Sequence, residues 1–295
     1  MQRQILCIAG PTASGKSSGA VEEAIARGGE VISVDSRQVY RGLDIGTEKI
    51  TAREMREVPH HLIDIRNPKE NYSAGDFVMD ATRLIEEISA RGKLPILVGG
   101  THFYFDALLN GLPAGIDANP ALREEFEKFT TEELAERVRS ADARRASEID
   151  PKNRRRLIRA LEIISSLGSV PPRCTLIHAI AENKVHAGKY KVEWIVIDPP
   201  REELRARIDA RLASALERGL VDEVRRVREE VGDARLNELG LEYKIIGEFL
   251  LKGNLEEKPP LGDFSSKLLH TLSAKLWQYA RRQKAWLRKL GHPMS

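Results

Sequence analysis

Residues 10–17 read Gly-Pro-Thr-Ala-Ser-Gly-Lys-Ser, a spacing that builds a cradle for a diphosphate. Gly10 and Gly15 allow tight turns that aim backbone N–H groups inward, with Pro11, Thr12, Ala13 and Ser14 forming the loop between them. Lys16 adds a cation able to reach terminal phosphate oxygens, and the Ser17 hydroxyl is placed for Mg²⁺. A second chemical group follows at Asp35, which ends the apolar run Val31–Val34 and leads into Ser36, Arg37 and Gln38. A carboxylate there can act as a general base on an acceptor or as a metal ligand, or it can close an Asx-turn. Gly99-Gly100-Thr101 ends another apolar run. Paired glycines permit close approach of backbone to a ligand, and Thr101 offers a hydroxyl to a substrate or a cap to the next helix. No aspartate ends that run, so the usual second carboxylate of an ATPase motor is missing there.

Further cations stand in two helical patterns. Arg154, Arg155, Arg156 and Arg159 fall within six positions, with Leu157, Ile158, Leu161 and Ile164 on an opposing apolar face. Near the C-terminus, Arg281, Lys284 and Arg288 form a stripe at helical spacing beside a face of Leu269, Leu272, Leu276 and Tyr279. Such rows suit a phosphate backbone, and they also suit a solvated face paired with acids. Trp277 and Trp286 are read as core residues rather than base-stacking platforms. Arg207 and Arg211, one turn apart, could reach a leaving diphosphate or pair with surface carboxylates. His60 and His61 have no companions at metal-ligand spacing and are read as structural or pocket-lining.

These groups need a scaffold. Apolar runs at Ile5–Ile8, Val31–Val34, Leu62–Ile65, Ile96–Val98 and Glu193–Ile197 read as strands, and helical patterns follow at Lys16–Arg27 and Ala74–Arg91. Strand–helix alternation predicts an α/β fold: a parallel sheet of the P-loop NTPase-like kind, flanked by helices, with the cradle, Asp35 and Thr101 at the carboxyl ends of strands. Residues 119–167 are charged and helical without strand signals, with starts expected at Asn119-Pro120 and Asp150-Pro151. The expected organisation is a catalytic core at 1–115 and 185–295, with C-terminal helices, interrupted by a helical insertion at 116–184.

Bulk properties narrow the class. The chain has 295 residues, 41% hydrophobic and 31% charged, with a net charge of +3. The two cysteines, Cys7 and Cys174, form neither a disulfide framework nor a metal pair, and Cys7 falls in a strand as a small core residue. No signal peptide and no apolar run near the ~18 residues of a membrane span is present, so a cytoplasmic protein is expected. The cradle alone also fits a small-molecule kinase in which Asp35 activates a hydroxyl. That reading leaves the arginine rows unexplained.

The chain resembles the tRNA dimethylallyltransferase (tRNA isopentenyltransferase) family over most of its length. The resemblance rests on GPTASGKS at 10–17, DSRQVYRGLDIGTEK at 35–49, PHHLIDI at 59–65, YSAGDF at 72–77 and ILVGGTHFYFDALLNGL at 96–112. It continues in RRLIRALE at 155–162, RIDARL at 207–212, RGLVDEV at 218–224 and ARRQKAWLR at 280–288. The resemblance implies transfer of a dimethylallyl group from dimethylallyl diphosphate to N6 of the adenosine 3′ of the anticodon, in tRNAs reading codons that begin with U. Diphosphate is released. It implies that residues 10–17 hold the diphosphate with Mg²⁺ at Ser17, that Asp35 is the general base, that Thr101 contacts the target nucleotide and that Arg211 stabilises diphosphate. Residues 35–38, Arg123, and Arg155, Arg156, Leu157, Ile158 and Arg159 would contact tRNA, with the insertion clamping the anticodon stem-loop of a monomeric enzyme. An adenylate isopentenyltransferase would use the same donor with a free nucleotide, and needs no such clamp. The chain departs from the pattern at His102, Asn153, Ala215 and the order Gly240-Leu241-Glu242-Tyr243-Lys244, which bears on the tRNA side rather than on the reaction type.

Overall fold

A computed structural model describes residues 3–112, 119–171, 189–251 and 263–289. The chain divides into two compact units, Met1–Gly111 with Leu176–Ser295, and Leu112–Thr175.

The first unit is built on a parallel sheet of five strands: β1 (Arg3–Ala9), β2 (Gly29–Val34), β3 (His60–His61), β4 (Leu94–Gly99) and β5 (Tyr190–Val196), in the order β3-β2-β4-β1-β5. Alternate side chains of each strand face opposite ways. Ile5, Cys7 and Ala9 of β1, with Ile32, Val34 and Leu97, join one core, and Leu6, Ile8, Val31, Ile96 and Val98 join another. Both faces are therefore buried, which is why these strands read as continuous apolar runs rather than alternating ones. Helix α1 (Lys16–Arg27) covers the second face through Ala20, Val21 and Ala24. On the first face lie α3 (Ala74–Ala90) and α4 (His102–Asn110), after the short α2 (Ala52–Met55). This is the P-loop NTPase-like arrangement expected from the strand–helix alternation. Burial pushes the Cys7 thiol up, so it remains a protonated core residue.

β1, β2 and β4 extend the expected runs by one or two residues at their ends, and two strands differ more. Leu62–Ile65 is not a strand. The pairing residues are His60 and His61, in register with Val31 and Ile32, and the strand ends because Leu62 and Asp64 take the left-handed conformation, at φ 63° and 56°. Leu62 is buried all the same, so its hydrophobicity reports packing and not pairing. β5 begins at Tyr190, three residues before the expected Glu193, and ends at Val196.

The second unit contains α5 (Pro120–Phe126), α6 (Thr131–Ala141), α7 (Ala143–Glu148) and α8 (Arg154–Leu167). Each start has a side-chain cap: Asn119, Thr130, Asp142 and Asn153 accept from backbone N–H groups of the first turn. Asp150-Pro151 does not open α8 as expected. The Asp150 carbonyl and carboxylate accept from the N–H groups of Asn153 and Lys152, forming a turn that delays the helix until Arg154. Phe126, Leu134, Val138, Ile149, Leu157, Ile158 and Leu161 form this unit's core. Cys174 lies outside the described residues.

The first unit is completed by α9 (Arg201–Glu217), α10 (Leu220–Leu236), α11 (Leu241–Leu251) and α12 (Asp263–Lys289). The buried face of α12 is Leu268, Leu272, Leu276, Ala280, Gln283 and Leu287. Leu269 is only partly buried and Tyr279 is 37% exposed, so the face is rotated from the one expected. No described helix is long and apolar enough to cross a membrane.

Candidate functional site

The loop between β1 and α1 has the backbone that a phosphate cradle needs. Gly15 sits at φ 88° as the N-cap of α1, in the left-handed region that glycine enters freely. Ala13 shares that region at φ 61°, the less usual choice for a residue with a Cβ. Lys16 Nζ donates to the Pro11 carbonyl at 3.2 Å, folding the ammonium back over the loop. Burial pushes this ammonium down to about 8; Asp35 opposes the shift and Arg211 adds to it. A half-buried cation beside helix N–H groups suits an anion.

The loop lines a cavity of about 530 Å³. Thr12, Ala13, Gly15, Lys16 and Ser17 contribute from the loop, Asp35 and Gln38 from the end of β2, Gly99 and Gly100 from the end of β4, and Arg211 from α9. Gly10, Pro11 and Ser14 support the loop without lining the cavity, and the buried Ser14 hydroxyl has no hydrogen-bond partner there. Gly99 could carry no side chain, because a Cβ would lie 2.0 Å from the Val34 carbonyl oxygen. That contact brings the ends of β2 and β4 together. Val21, Val31, Ile50, Ile63 and Val98 give the cavity an apolar portion.

Asp35 combines the two roles its sequence allowed. One carboxylate oxygen accepts from the N–H groups of Arg37, at 2.8 Å, and Gln38, at 3.3 Å, making an Asx-turn. The residue still faces the cavity. Thr101 precedes α4 but does not cap it through its hydroxyl, contrary to one expectation. Its Oγ1 accepts from the Ser36 N–H at 3.2 Å, which ties it to the Asp35 loop. Gln38 donates to the carbonyls of Thr47 and Glu48 and accepts from the Ser33 hydroxyl, so its amide is spent on the fold. Ser36 and Arg37 are half-buried.

Arg211 donates from Nη1 to the Thr12 hydroxyl and from Nη2 to Glu242 at 3.0 Å. Arg207 braces the loop instead of lining the cavity, donating to the Ser14 carbonyl at 3.1 Å and pairing with Glu203. His60 lines the cavity and contacts the Val58 carbonyl, and burial holds its pKa low. His61 pairs with Glu30, itself bound by Arg91, which is a structural role.

Several residues that hold this site together were not singled out from the sequence. Gln283 accepts from the Thr12 N–H and donates to the Gly100 carbonyl, each at 2.9 Å, linking the cradle to the end of β4. A polar residue in the apolar stripe 276, 280, 283 and 287 was the available clue. Glu223 accepts from the N–H groups of Asp44, Ile45 and Gly46 and from the Tyr243 hydroxyl, which pins the loop after Asp35. Lys49 joins Asp44 and Asp64. His102, a departure in the sequence, is buried and stacks on Trp286 with ring centroids 4.2 Å apart. Burial lowers its pKa to about 4, so the ring is neutral.

In the second unit, Arg155 and Arg156 are exposed, without side-chain partners among the described residues. Arg159 pairs with Glu162 at 3.3 Å. The buried Glu162 carboxylate also accepts from Arg123, at 2.9 and 3.1 Å, and from the Asn119 N–H. Leu157 and Ile158, 2% and 5% exposed, lie on the apolar face read from the sequence: their side chains pack into this unit's core, which corrects the expectation from the resemblance that these side chains are offered to RNA. On α12, Arg281 and Arg288 are exposed and border a small groove with Trp277, while Lys284 is committed to Asp198 at 2.8 Å.

The donor set suits Mg²⁺. Ser17 and Asp35 present hard oxygen atoms to one cavity, and no group of three or more acidic, histidine or cysteine ligands exists among the described residues. Mg²⁺ keeps several waters and takes few protein ligands when a substrate diphosphate completes its shell, so a full protein cage is not required.

The sequence profile of the family described as IPP transferase matches residues 38–290. A tRNA dimethylallyltransferase of Thermomicrobium roseum is 40% identical, over 98% of this chain and 84% of the relative. One from an Anaeromyxobacter species is 39% identical, over 97% and 92%. Among solved structures, the full-length tRNA isopentenylpyrophosphate transferase of Bacillus halodurans is 38% identical and covers 97% of this chain and 87% of its own, with a TM-score of 0.67. A eukaryotic dimethylallyltransferase acting on tRNA is 27% identical, covers 97% and 70%, and gives a TM-score of 0.78. With likeness of this extent running through the cradle-bearing unit and the helical unit alike, the chain belongs to the IPP transferase family.

Proposed function

We propose that this protein transfers a dimethylallyl group from dimethylallyl diphosphate to N6 of the adenosine 3′-adjacent to the anticodon of tRNA, releasing diphosphate. The observation that carries the reading is the shared cavity: Lys16, Ser17 and Arg211 face the same space as Asp35, with an apolar portion suited to a short prenyl chain. A kinase needs the cations, but it does not need that apolar wall.

The chemistry follows from the groups. The diphosphate lies against the N-terminus of α1 with Lys16 and Arg211 as counter-charges. Ser17, with Asp35 nearby, would hold Mg²⁺, which when bound offsets part of the diphosphate charge. An exocyclic adenine amine is a weak nucleophile, so orientation and a base both matter. The N6 lone pair attacks the allylic carbon, the carbon–oxygen bond breaks, and its electron pair leaves on diphosphate. Asp35 accepts the N6 proton. Thr101 does not line the cavity; tied to Ser36 of the Asp35 loop, it would help orient the nucleotide at the cavity's edge. An adenine stacked in the loop must swing out to reach the cavity. Arg155 and Arg156 supply exposed cations for the RNA backbone, and Arg123 and Arg159 remain candidates for it while bound to Glu162.

The test is to incubate the protein with labelled dimethylallyl diphosphate and unmodified tRNA. Label should enter the RNA at adenosine. Asp35→Asn keeps an acceptor oxygen for the Asx-turn and removes the base, so transfer should fall by about 10²- to 10⁴-fold with donor binding retained. ATP turnover without transfer to RNA would overturn the proposal, and labelling of free AMP instead would replace tRNA with a nucleotide acceptor.

A further inference from the structure

We propose that Glu242 is a positioning residue for diphosphate departure: it holds Arg211 in the orientation in which its remaining Nη N–H groups meet the leaving group. The inference rests on the reaction proposed above, which is what gives Arg211 a leaving group to act on.

The guanidinium of Arg211 is fixed at two corners. Nη1 donates to Thr12 of the cradle, and Nη2 donates to Glu242 Oε1 at 3.0 Å. Its Nε is buried and has no hydrogen-bond partner. The nearest carboxylate to that edge is Glu48, at 3.9 Å, beyond hydrogen-bond reach and itself paired with Arg218. Three of its five N–H groups, on Nε, Nη1 and Nη2, are thus left over among the described residues, on a side chain that lines the cavity. A phosphoryl oxygen entering the cavity would find the remaining Nη N–H groups still able to donate, and a charge-assisted bond to them is the stronger kind.

Glu242 does not line the cavity, so it acts only through Arg211. Its side chain is 11% exposed and that of Arg211 is 14%. Burial raises the Glu242 pKa and Arg211 opposes the rise, so each charge depends on the other. With Glu242 neutralised, Glu48 becomes the nearest competing anion for Arg211 and would draw the guanidinium toward the edge now left open. An arginine already fixed loses little side-chain entropy when charge develops on the leaving oxygen, which is the gain expected from a supporting group. The placement comes from α11, where Gly240-Leu241-Glu242 puts a glutamate in the first turn.

A double-mutant cycle on the full-length protein separates positioning from plain structural support. Glu242→Gln keeps the size and one acceptor oxygen. It should lower kcat for transfer to tRNA by about tenfold or more, with the KM for dimethylallyl diphosphate within about twofold. On an Arg211→Gln background the same change should cost less than about twofold, because the group it serves is gone. Additive losses, or wild-type kcat in Glu242→Gln, would overturn the inference. If Glu242→Gln does not fold, Glu242→Asp keeps the charge but withdraws it by one methylene. It should lose kcat only when Arg211 is present, and wild-type kcat there would equally refute the proposal. Failure of the unmutated protein to label tRNA would instead refute the reaction itself.

Discussion

Lys16 offers the sharpest test of the site, because its burial has a consequence that can be read by titration. Its ammonium has been pushed from 10.5 to about 8 by loss of solvent. At that value about nine-tenths of the molecules carry the charge at pH 7 and about one-tenth at pH 9. A diphosphate binds the charged form. The Kd for dimethylallyl diphosphate should therefore rise about tenfold between pH 7 and pH 9, or about 1.4 kcal/mol. The terminal phosphoryl group, with a second pKa near about 6, is ionised throughout this range and adds no slope of its own. The assay is a binding isotherm by calorimetry at fixed ionic strength at each pH. Lys16→Arg keeps its charge across the range and should remove the slope, though it fits the loop less well. A flat Kd in the wild-type protein, or the same slope in Lys16→Arg, would refute the assignment. Stability should move the opposite way. The folded-state pKa lies below the unfolded one, so the charge costs stability in full below about pH 8, and the cost fades as pH rises from 8 to 10.5. A shift of that size corresponds to about 3 kcal/mol. Lys16→Met should therefore unfold at higher denaturant than wild type at pH 7, with the gain shrinking toward pH 10.

Two further outcomes are expected. Replacing Arg155 and Arg156 by glutamine should weaken tRNA binding and lower the slope of log K against log salt by about one per charge lost, measured by filter binding; an unchanged slope would remove them from the RNA interface. Glu223→Ala leaves the Asp44, Ile45 and Gly46 amides and the Tyr243 hydroxyl without their acceptor. This should cost about 3 kcal/mol and speed hydrogen exchange at those three amides, and protection equal to wild type would show that the loop is held by other means.

The short-range features were legible in the residues. A glycine-lysine spacing specifies its own loop, because the turn, the N–H groups and the cation all belong to adjacent positions. The strands announced themselves because a parallel sheet buries both faces. Where local and long-range demands diverged, the reading slipped. Leu62–Ile65 is apolar enough for a strand, yet Leu62 is buried by packing while the backbone turns away from the sheet. Leu157 and Ile158 entered the expected RNA contacts through the resemblance, although their helical spacing already put them on the apolar face that the structure buries.

The residues alone specify the diphosphate cradle, the α/β class and the placing of Asp35 on the cradle's side of the sheet, since parallel strands put all their carboxyl ends at one edge; the strand order is a tertiary result. Tertiary structure alone decided how the site is braced. Gln283 reaches Thr12 across 271 positions of chain, Glu223 reaches the 44–46 loop across nearly 180, and Glu242 meets Arg211 from another helix. Such contacts leave no periodic mark, because a hydrogen bond depends on where two backbones converge and not on how far apart they stand in the chain.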